Sequence, residues 1–486
     1  MVEMEGLVYI GYALMVVIAV AAIIHVLMDN RQPAKTMAWV LVIGFIPILG
    51  VVFYLFFGIN HRKERIISHR QMDELTKRSM LNFVEQHDFH VPERQKPLID
   101  LFVNQDLSLP FKDNQIDIMT DGYAFFPELL KDIAEASHHV HISMYIFEDD
   151  ALGRLLADAL MDKARQGVKV RLIYDDVGCW RVGGRFFEQM REAGVEVVPF
   201  LPVRFPSFTS KVNYRNHRKI IVIDGRVGYI GGMNFARRYV SEKWRDTMLR
   251  LQGGVVYALQ RAFLVDWYFV DHTLITDRIY YPEASNASNH KLQTSIFNLQ
   301  SSNNCLAQVV TSGPMERYPE IMQGFVRIIL AARRYIYIET PYFLPNEPIL
   351  FAIKTAALAG VDVRVMCPLH SDARFTDWAS RSYLREIHEA GARVWLYKPG
   401  FLHSKLLISD DSLVSCGSTN VDFRSLENNF EANVFVYDEG TALRLKKVFL
   451  DDQSHSVLLS DVPGRLHPNF YVRLWESFTR LVSPLL

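Results

Sequence analysis

The 486-residue sequence has few cysteines and almost no net charge. Its four cysteines, Cys179, Cys305, Cys367 and Cys416, are scattered and form no disulfide-scaffold pattern, which fits a reducing compartment. The formal net charge of −1 argues against a broad surface for nucleic acid. We therefore expect no nucleic-acid partner.

Common metal and nucleotide motifs are missing as well. The sequence has no His-Glu-x-x-His, no paired Cys-x-x-Cys, no carboxylate cluster with metal spacing and no Gly-x4-Gly-Lys-Ser/Thr phosphate loop. His138, His139 and His141 look like a metal cluster at first sight. The other half of the chain has Tyr335 and Tyr337 at the corresponding strand positions, so packing is favoured. We predict no metal and no cofactor.

Charge is also missing from two stretches near the N-terminus. Within residues 7–28 the only side chain that titrates near neutral pH is His25, and residues 37–58 contain none. Each stretch has about 20 residues, the length that a helix needs to cross a bilayer. We predict two transmembrane helices that form a hairpin in residues 1–60, with Gly44, Pro47 and Gly50 as candidate kinks in the second helix.

Basic residues flank this predicted hairpin unequally. Four follow the second stretch and two lie between the stretches: Arg62, Lys63, Arg65 and Arg70, against Arg31 and Lys35. The positive-inside rule then places the rest of the chain on the cytoplasmic side.

The most informative pattern is present twice. The spacing His-x-Lys-x4-Asp occurs in two copies that are 186 residues apart (403 − 217). Their members are His217, Lys219 and Asp224, then His403, Lys405 and Asp410. Each copy is followed by small residues and an asparagine: Gly231, Gly232 and Asn234, then Gly417, Ser418 and Asn420. One copy alone could be a solvated strand end, but so long a match favours a shared function.

Each copy leads into a short apolar strand, KIIVID at 219–224 and KLLISD at 405–410. Side chains two apart in a strand share a face, so the histidine and lysine of each copy project together, while Arg218 and Ser404 point away. Two facing histidines suit displacement at a phosphodiester, because a neutral one can attack phosphorus while a protonated one donates to the leaving oxygen. Lysines and asparagines can hold the non-bridging oxygens: Lys219, Lys405, Asn234 and Asn420.

This duplicated His-Lys-Asp motif resembles the signature of the phospholipase D superfamily. The resemblance implies a phosphohistidine intermediate, with His217 as the nucleophile and His403 as the general acid. It also implies that Asp224 and Asp410 are structural members of the six-residue catalytic motif, fixing the strand-turn geometry. Asp246 and Glu431 lie 29 (246 − 217) and 28 (431 − 403) residues after the histidines. The family places acids there to orient the imidazoles, whereas the plainer interpretation is a surface acid or salt bridge.

Flanking segments are duplicated too: 125–147 parallels 322–343, 167–175 parallels 360–368, and 192–200 parallels 389–397. Helical patterns alternate with β-branched strands in both halves, which indicates an α/β fold. We predict two similar phospholipase D-like α/β/α sandwich domains with pseudo-twofold symmetry, at 113–300 and 301–486. They follow the transmembrane hairpin at 1–60 and a linker region with a short helix at 61–112.

Along nearly the full chain, the order of anchors and motifs resembles the bacterial cardiolipin synthases of this superfamily. The resemblance implies a multi-pass protein of the bacterial inner membrane. It further implies that two phosphatidylglycerol molecules are converted into cardiolipin and glycerol, with no activated donor. The multi-aspartate motif of enzymes that use cytidine-diphosphate lipids is absent.

Three alternatives stay open. A phospholipase D hydrolase that releases phosphatidic acid uses the same residues, and a membrane-tethered nuclease would need local basic surface. A non-enzymatic scaffold predicts the loss of a motif residue, and none is lost. The amphipathic segment at residues 470–481 could touch lipid, although packing on the second domain is the favoured interpretation.

Overall fold

The computed structural model describes residues 2–29, 33–58, 91–106, 108–203, 214–282 and 301–483. They belong to two compact units: an N-terminal helical unit, and a body that holds the described residues from 91 to 202 and from 215 to 483. Five of the basic residues used to predict sidedness lie outside the described residues: Arg31, Arg62, Lys63, Arg65 and Arg70.

The two apolar stretches of the N-terminal unit form different structures. The first is one helix, α1 (Val2–Met28), whose segment Tyr9–Met28 has a mean hydropathy of 2.6. The second is broken into α2 (Pro33–Phe45), α3 (Pro47–Phe53) and a π-helical turn (Tyr54–Gly58). The break has a simple cause, because the ring of Pro47 cannot continue the preceding helix but is well suited to begin a new one. Within the described ranges, α1 alone is long and apolar enough to cross a membrane.

The body alternates strands with helices. Its strands are β1 (Pro110–Met119), β2 (His139–Met144), β3 (Lys169–Asp175), β4 (Glu196–Phe200), β5 (Ile220–Ile223), β6 (Val227–Gly231), β7 (Trp244–Arg245), β8 (Met248–Gln252), β9 (Ser301–Ser312), β10 (Tyr335–Glu339), β11 (Phe343–Leu344), β12 (Asp362–Pro368), β13 (Arg393–Tyr397), β14 (Phe401–Leu402), β15 (Leu406–Ser409), β16 (Leu413–Gly417), β17 (Val421–Asp422), β18 (Glu431–Val436) and β19 (Ser456–Leu458). Its helices are α4 (Lys96–Asp106), α5 (Gly122–Glu135), α6 (Ala151–Arg165), α7 (Gly184–Glu192), α8 (Val255–Asp271), α9 (Glu320–Ala331), α10 (Glu347–Leu358), α11 (Arg374–Glu389), α12 (Phe423–Glu427), α13 (Glu439–Ser454) and α14 (Phe470–Leu481).

Fifteen of these strands form one continuous sheet, in the order β19-β13-β12-β10-β15-β16-β18-β9-β1-β8-β6-β5-β2-β3-β4. The centre of the sheet is the antiparallel pair β1 and β9. On one side lies the first half (residues 108–282), and on the other lies the second half (residues 301–483). Corresponding strands pair in the same register, since Val140 faces Ile223 in the first half and Ile336 faces Ser409 in the second. The prediction of two similar α/β domains is confirmed.

Helices cover both faces of the sheet. One face carries α8 and α13, and the other carries α5 to α7 in the first half and α9 to α11 in the second. Strand side chains alternate between these layers, as Ile220 and Val222 contribute to one core while Ile221 and Ile223 contribute to the other. The apolar runs of the sequence are therefore strands buried on both faces.

Helix α4 lies within the predicted linker region, but it packs on the second half. Phe102 is buried there against Phe435, with ring centroids 4.6 Å apart. Arg94, just before the helix, forms an ion pair with Asp410. A segment that precedes the first half in sequence therefore stabilises the second half.

Candidate active site

The motif histidines lie just before β5 and β15, and each is hydrogen-bonded to the opposite half. The backbone N–H of His217 donates to the carbonyl of Phe430 at 2.9 Å, and that of His403 donates to the carbonyl of Arg245 at 2.7 Å. Phe430 and Arg245 directly precede the two predicted acids. The two motifs therefore meet where the halves join.

The acids cross between the halves. Nδ1 of His217 lies 3.0 Å from Oε1 of Glu431, and Nδ1 of His403 lies 2.7 Å from Oδ2 of Asp246. Both carboxylates are fully buried. A carboxylate at Nδ1 fixes the ring and leaves Nε2 for chemistry. Each half thus supplies the histidine of one pair and the acid of the other.

Burial keeps both imidazoles neutral at pH 7. It lowers the pKa of His217 to about 4, against the opposing effect of Glu431. It lowers the pKa of His403 to about 3, with Lys405 acting in the same direction. The sequence had led us to expect one neutral and one protonated ring. The difference arises because both rings are desolvated beside ammonium groups.

The two motif lysines are buried, and each contacts the histidine of its own motif. Nζ of Lys219 donates to the carbonyl of His217 at 2.6 Å. Nζ of Lys405 donates to the carbonyl of His403 and lies 2.9 Å from its Nδ1. Burial lowers the pKa of Lys405 to about 8 and that of Lys219 well below its usual value, although the nearby carboxylates oppose this. Such desolvated cations favour an anion in the same site.

The two predicted phosphate-binding asparagines already hold protein groups. Asn234 accepts the N–H of Ile146 at 3.1 Å and donates to the hydroxyl of Tyr239. Asn420 donates to Asp422 at 3.0 Å, and its buried Oδ1 has no donor among the described residues. An amide NH2 carries two hydrogens, so each asparagine can donate a second bond. Phosphate binding by this pair stays a prediction.

The two motif aspartates lie at the far ends of their strands. Asp224 accepts the backbone N–H groups of residues 137–139 at 2.8 Å, and Asp410 accepts those of residues 333–335 at 2.8 to 2.9 Å. Both have a φ of 52°, the left-handed conformation that closes the turns after β5 and β15. They hold these turns to the starts of β2 and β10. Four of the six motif residues therefore meet in the site, and these two fix the strands.

A buried arginine lies behind each histidine–acid pair. Arg218 forms an ion pair with Asp266 of α8, and its Nε donates to the carbonyl of Glu431 at 3.0 Å. Arg245 forms an ion pair with Asp452 of α13 at 2.8 Å, and its Nη1 donates to the backbone carbonyl of the next residue at 2.7 Å. Each guanidinium thus holds the main chain of an acid-bearing residue.

The buried acids behind the site were not identified from the sequence: Asp266, Asp452 and Glu339. One signal was available, because Asp266 and Asp452 are 186 residues apart (452 − 266), the same interval as the histidines. Glu339 gave no such signal. Burial raises its pKa, with the charge of Asp452 acting in the same direction. It lies 3.9 Å from Arg245.

A small residue follows each motif, and its size depends on the length of the acidic side chain that it contacts. Ser418 donates its hydroxyl to Glu431. The corresponding position in the first half is Gly232, where an added Cβ would lie 2.0 Å from Oδ1 of Asp246. The shorter acid therefore needs the glycine, and the longer one is supported by the serine.

Among the ring contacts of the described residues, more involve His403 than His217. Three rings lie around His403, with centroids 5.4 to 6.0 Å away: Trp244, Phe401 and Tyr239. His217 faces Tyr145 at 4.8 Å.

The three histidines at the start of β2 lie away from this site and are held by protein groups. His139 and His141 each lie 2.8 Å from the side-chain amide of Gln260, and His138 lies 2.8 Å from His139. The part of the chain that the structure describes contains no group of three or more residues placed to hold a metal ion.

Comparison with known proteins places this geometry in a family. The family described as "Cardiolipin synthase, PLD-like domain" matches residues 129–267 and 325–453, so each match contains one histidine motif. The chain belongs to this family. A second family, "Phospholipase D-nuclease N-terminal", matches residues 17–58.

Relatives that match nearly the whole chain are named cardiolipin synthases. A cardiolipin synthase of Geobacillus kaustophilus (strain HTA426) is 38% identical over 482 residues, covering 97% of this chain and 92% of the relative. The major cardiolipin synthase ClsA of Bacillus subtilis (strain 168) is 37% identical over 486 residues, covering 96% of both. The phosphatidylserine synthase of Haemophilus influenzae Rd KW20 shares the fold, with a TM-score of 0.59 and 15% identity over 81% of this chain and 100% of that one.

Proposed function

We propose that the chain is a membrane-bound phosphatidyltransferase that makes cardiolipin and glycerol from two phosphatidylglycerol molecules. The observation that carries this proposal is the crossed pair of histidines, each with a buried acid and a buried lysine, in a chain about 37% identical to a cardiolipin synthase over nearly its full length. Both reactant and product are phosphodiesters, so the exchange needs no energy donor.

In the first step, Nε2 of His217 attacks the phosphorus of one phosphatidylglycerol. The bond from phosphorus to the glycerol oxygen breaks, and His403 donates a proton to that oxygen. The negative charge of the bound phosphodiester raises the pKa of His403, which allows the ring to carry this proton. Glu431, at Nδ1 of His217, stabilises the positive charge that develops on the nucleophile.

In the second step, a hydroxyl of another phosphatidylglycerol attacks the phosphohistidine. His403, now neutral, removes the proton from that hydroxyl, and the bond between phosphorus and His217 breaks to give cardiolipin. Lys219, Lys405 and the two asparagines hold the non-bridging oxygens in both steps. The same residues would serve a hydrolase if water made the second attack, and the full-length relatives favour transfer.

We also propose a membrane arrangement for the N-terminal unit. α1 forms one span, and the broken segment from α2 to the π-helical turn forms the second in residues 1–60 of the bacterial inner membrane, with the body on the cytoplasmic side. The side chain of His25 in α1 lies 2.8 Å from the hydroxyl of Tyr54, which supports a hairpin. The linker would occupy 61–112, and the two catalytic domains 113–300 and 301–486.

The test is to incubate the purified full chain with vesicles that contain phosphatidylglycerol labelled in both phosphate and glycerol. We expect cardiolipin with equimolar glycerol, and loss of both products in His217→Gln and His403→Gln. His455→Gln, which changes an exposed histidine, is the matched control. Phosphatidic acid as the only lipid product would identify a hydrolase. Cleavage of single-stranded DNA without lipid turnover would identify a nuclease.

Denaturing the wild type during turnover tests the intermediate directly. We expect labelled phosphate on His217, stable in alkali and labile in acid, with more label in His403→Gln if that variant still takes the first step slowly. Label on a peptide that contains His403 would reverse the two roles.

A further inference from the structure

The C-terminal helix α14 presents an apolar face to the outside of the body. Its first turn is capped by Asn469, whose side chain accepts the N–H of Val472 at 2.9 Å. Six of its twelve residues are large apolar side chains that are 42% to 80% exposed. They are Phe470, Tyr471, Leu474, Trp475, Phe478 and Leu481.

The opposite face of α14 holds it to the body through polar contacts. Glu476 is almost fully buried and forms an ion pair with Arg385 of α11, while Arg480 pairs with Glu386 at 2.7 Å. At about 100° per residue, the six apolar side chains span an arc of about 140°, and Glu476 points about 170° from its centre. Helix α14 therefore packs on the body with its polar face and exposes its apolar face. This is the opposite of a helix that only closes a domain, which turns its apolar face inward.

The outward face is large and continues onto the neighbouring helix. Phe375 of α11, 48% exposed, lies 5.9 Å from Trp475 between ring centroids. Six such side chains together expose roughly 700 Å² of apolar surface, above the largest patch of a typical soluble monomer. A surface of this size needs an apolar partner.

We propose that this face of α14 inserts into the headgroup region of the phospholipid bilayer that supplies the substrate. Its composition fits that place, because Trp and Tyr prefer the boundary between headgroups and acyl chains. A single helix forms a narrow ridge, which lipid can surround without a complementary surface. The exposed Arg473 beside the ridge suits an anionic headgroup. The nature of the lipid rests on the proposed function, but the contact itself does not.

The chain offers a clean way to test this contact. All four native cysteines are buried, so a cysteine introduced at the surface can be labelled selectively. We would attach an environment-sensitive fluorophore to Leu474→Cys in the full chain and reconstitute it in phosphatidylglycerol vesicles with nitroxide-labelled acyl chains. Glu439→Cys, an exposed position at the start of α13, is the matched control. Both variants share the N-terminal unit, so a difference between them reports the local surroundings.

We expect blue-shifted emission and at least twofold quenching by the nitroxide lipids at residue 474, with neither at residue 439. Equal quenching at both positions, or at neither, would overturn the proposal. A blue shift without quenching, together with a disulfide between two copies of Leu474→Cys, would assign the face to a second copy of the chain. This readout uses no catalysis, so its result is independent of the proposed reaction.

A kinetic measurement then connects the contact with turnover. In Leu474→Ser/Phe478→Ser we expect KM for phosphatidylglycerol in vesicles to rise about tenfold, while kcat for the lipid dispersed in detergent stays unchanged. Thermal unfolding should also be unchanged, since both side chains point outward. An equal loss of activity in vesicles and in detergent would contradict a role at the membrane.

Discussion

On the His217 side of the site the buried guanidinium comes from the motif itself, as Arg218, whereas on the His403 side it comes from the other half, as Arg245. The motif position that corresponds to Arg218 is Ser404, and the strand position that corresponds to Arg245 is Phe430. Arg218 lies over the ring of Phe430, 5.5 Å from its centroid. Both sides hold one guanidinium behind one acid, although the chain supplies it from different positions.

The acids and their neighbours differ in the same way. Glu431 is long and receives a hydroxyl from Ser418, whereas Asp246 is short and lies against Gly232. The two sides of the site thus have the same charges at the same places, although different residue types or sequence positions supply them. The two histidines therefore have equivalent acids in unequal surroundings, as the two different roles proposed for them require.

The largest effect expected is loss of activity when either acid becomes an amide. Glu431→Gln and Asp246→Asn keep the size of the side chain but remove the charge at Nδ1, so we expect kcat to fall about 10³- to 10⁴-fold. Asp246→Asn should be the more severe, because Lys405 then faces the His403 ring without its counter-charge. Single-turnover rates measure this, with Glu439→Gln as the exposed control. A loss below tenfold in either variant would contradict the orienting role.

Breaking either buried arginine pair should have the next largest effect. Arg218→Met and Arg245→Met each leave a buried carboxylate without its partner, so the free energy of unfolding should fall by about 3–5 kcal/mol. Arg218→Met/Asp266→Leu should recover most of this, because the buried charge of Asp266 is gone as well, and Glu316, the other partner of Arg218 at 3.6 Å, is partly exposed. Urea unfolding in detergent provides the measurement. Arg154→Met, in an exposed ion pair, should leave the midpoint unchanged. A double variant no more stable than the single one would argue against the pairing.

Exchanging the small residues beside the acids should have a moderate effect. Gly232→Ser places its Cβ against Asp246, and this overpacking should cost about 1–3 kcal/mol of stability. Ser418→Ala removes one donor from Glu431 and should cost about 1 kcal/mol. Denaturant unfolding compares the two variants. If Gly232→Ser were neutral, the proposed match between acid length and small residue would be wrong.

The most gradual effect expected is a pH dependence of stability from the two histidines, because it is spread over several pH units. Their pKa values lie at about 4 and about 3 in the folded chain, against an ordinary value of 6.5. Below pH 6.5 the unfolded rings bind protons that the folded rings do not, so stability is complete above pH 6.5 and falls as the pH is lowered. Each histidine should contribute a slope of about 1.4 kcal/mol per pH unit down to its folded pKa.

Urea unfolding between pH 4.5 and 7.5 measures this slope. His217→Gln and His403→Gln should each reduce the slope of stability against pH by the contribution of one histidine. The double variant should reduce it by the contributions of both. Variant and wild-type curves with the same slope would show that the rings are not desolvated as described.

Much of the fold could be predicted from the sequence because its signals are local. Runs such as KIIVID are strands by composition, and the repeated motif fixes the relation between the halves. The crossing of the acids could not be predicted, since spacings of 29 and 28 residues suit a partner in either half equally well. The roles of Arg218 and Arg245 could not be predicted, because these residues occupy unrelated positions in the repeat.

Helix orientation shows another limit of sequence reasoning. The periodicity of residues 470–481 correctly indicates two faces, but it does not reveal which one meets the body. We expected the apolar face to pack, and the structure places Glu476 there instead. The ion pair between Glu476 and Arg385 holds the polar face against the body. It joins residues 91 positions apart, so the periodicity of the helix alone does not reveal it.

The crossed acids also have a consequence for biosynthesis. Glu431 follows His217 by 214 residues, so a nascent chain exposes the first histidine long before β18 leaves the ribosome. Until then the imidazole lacks its carboxylate, and no shorter product contains both histidine–acid pairs. The complete site can therefore form only after residue 431 has been synthesised.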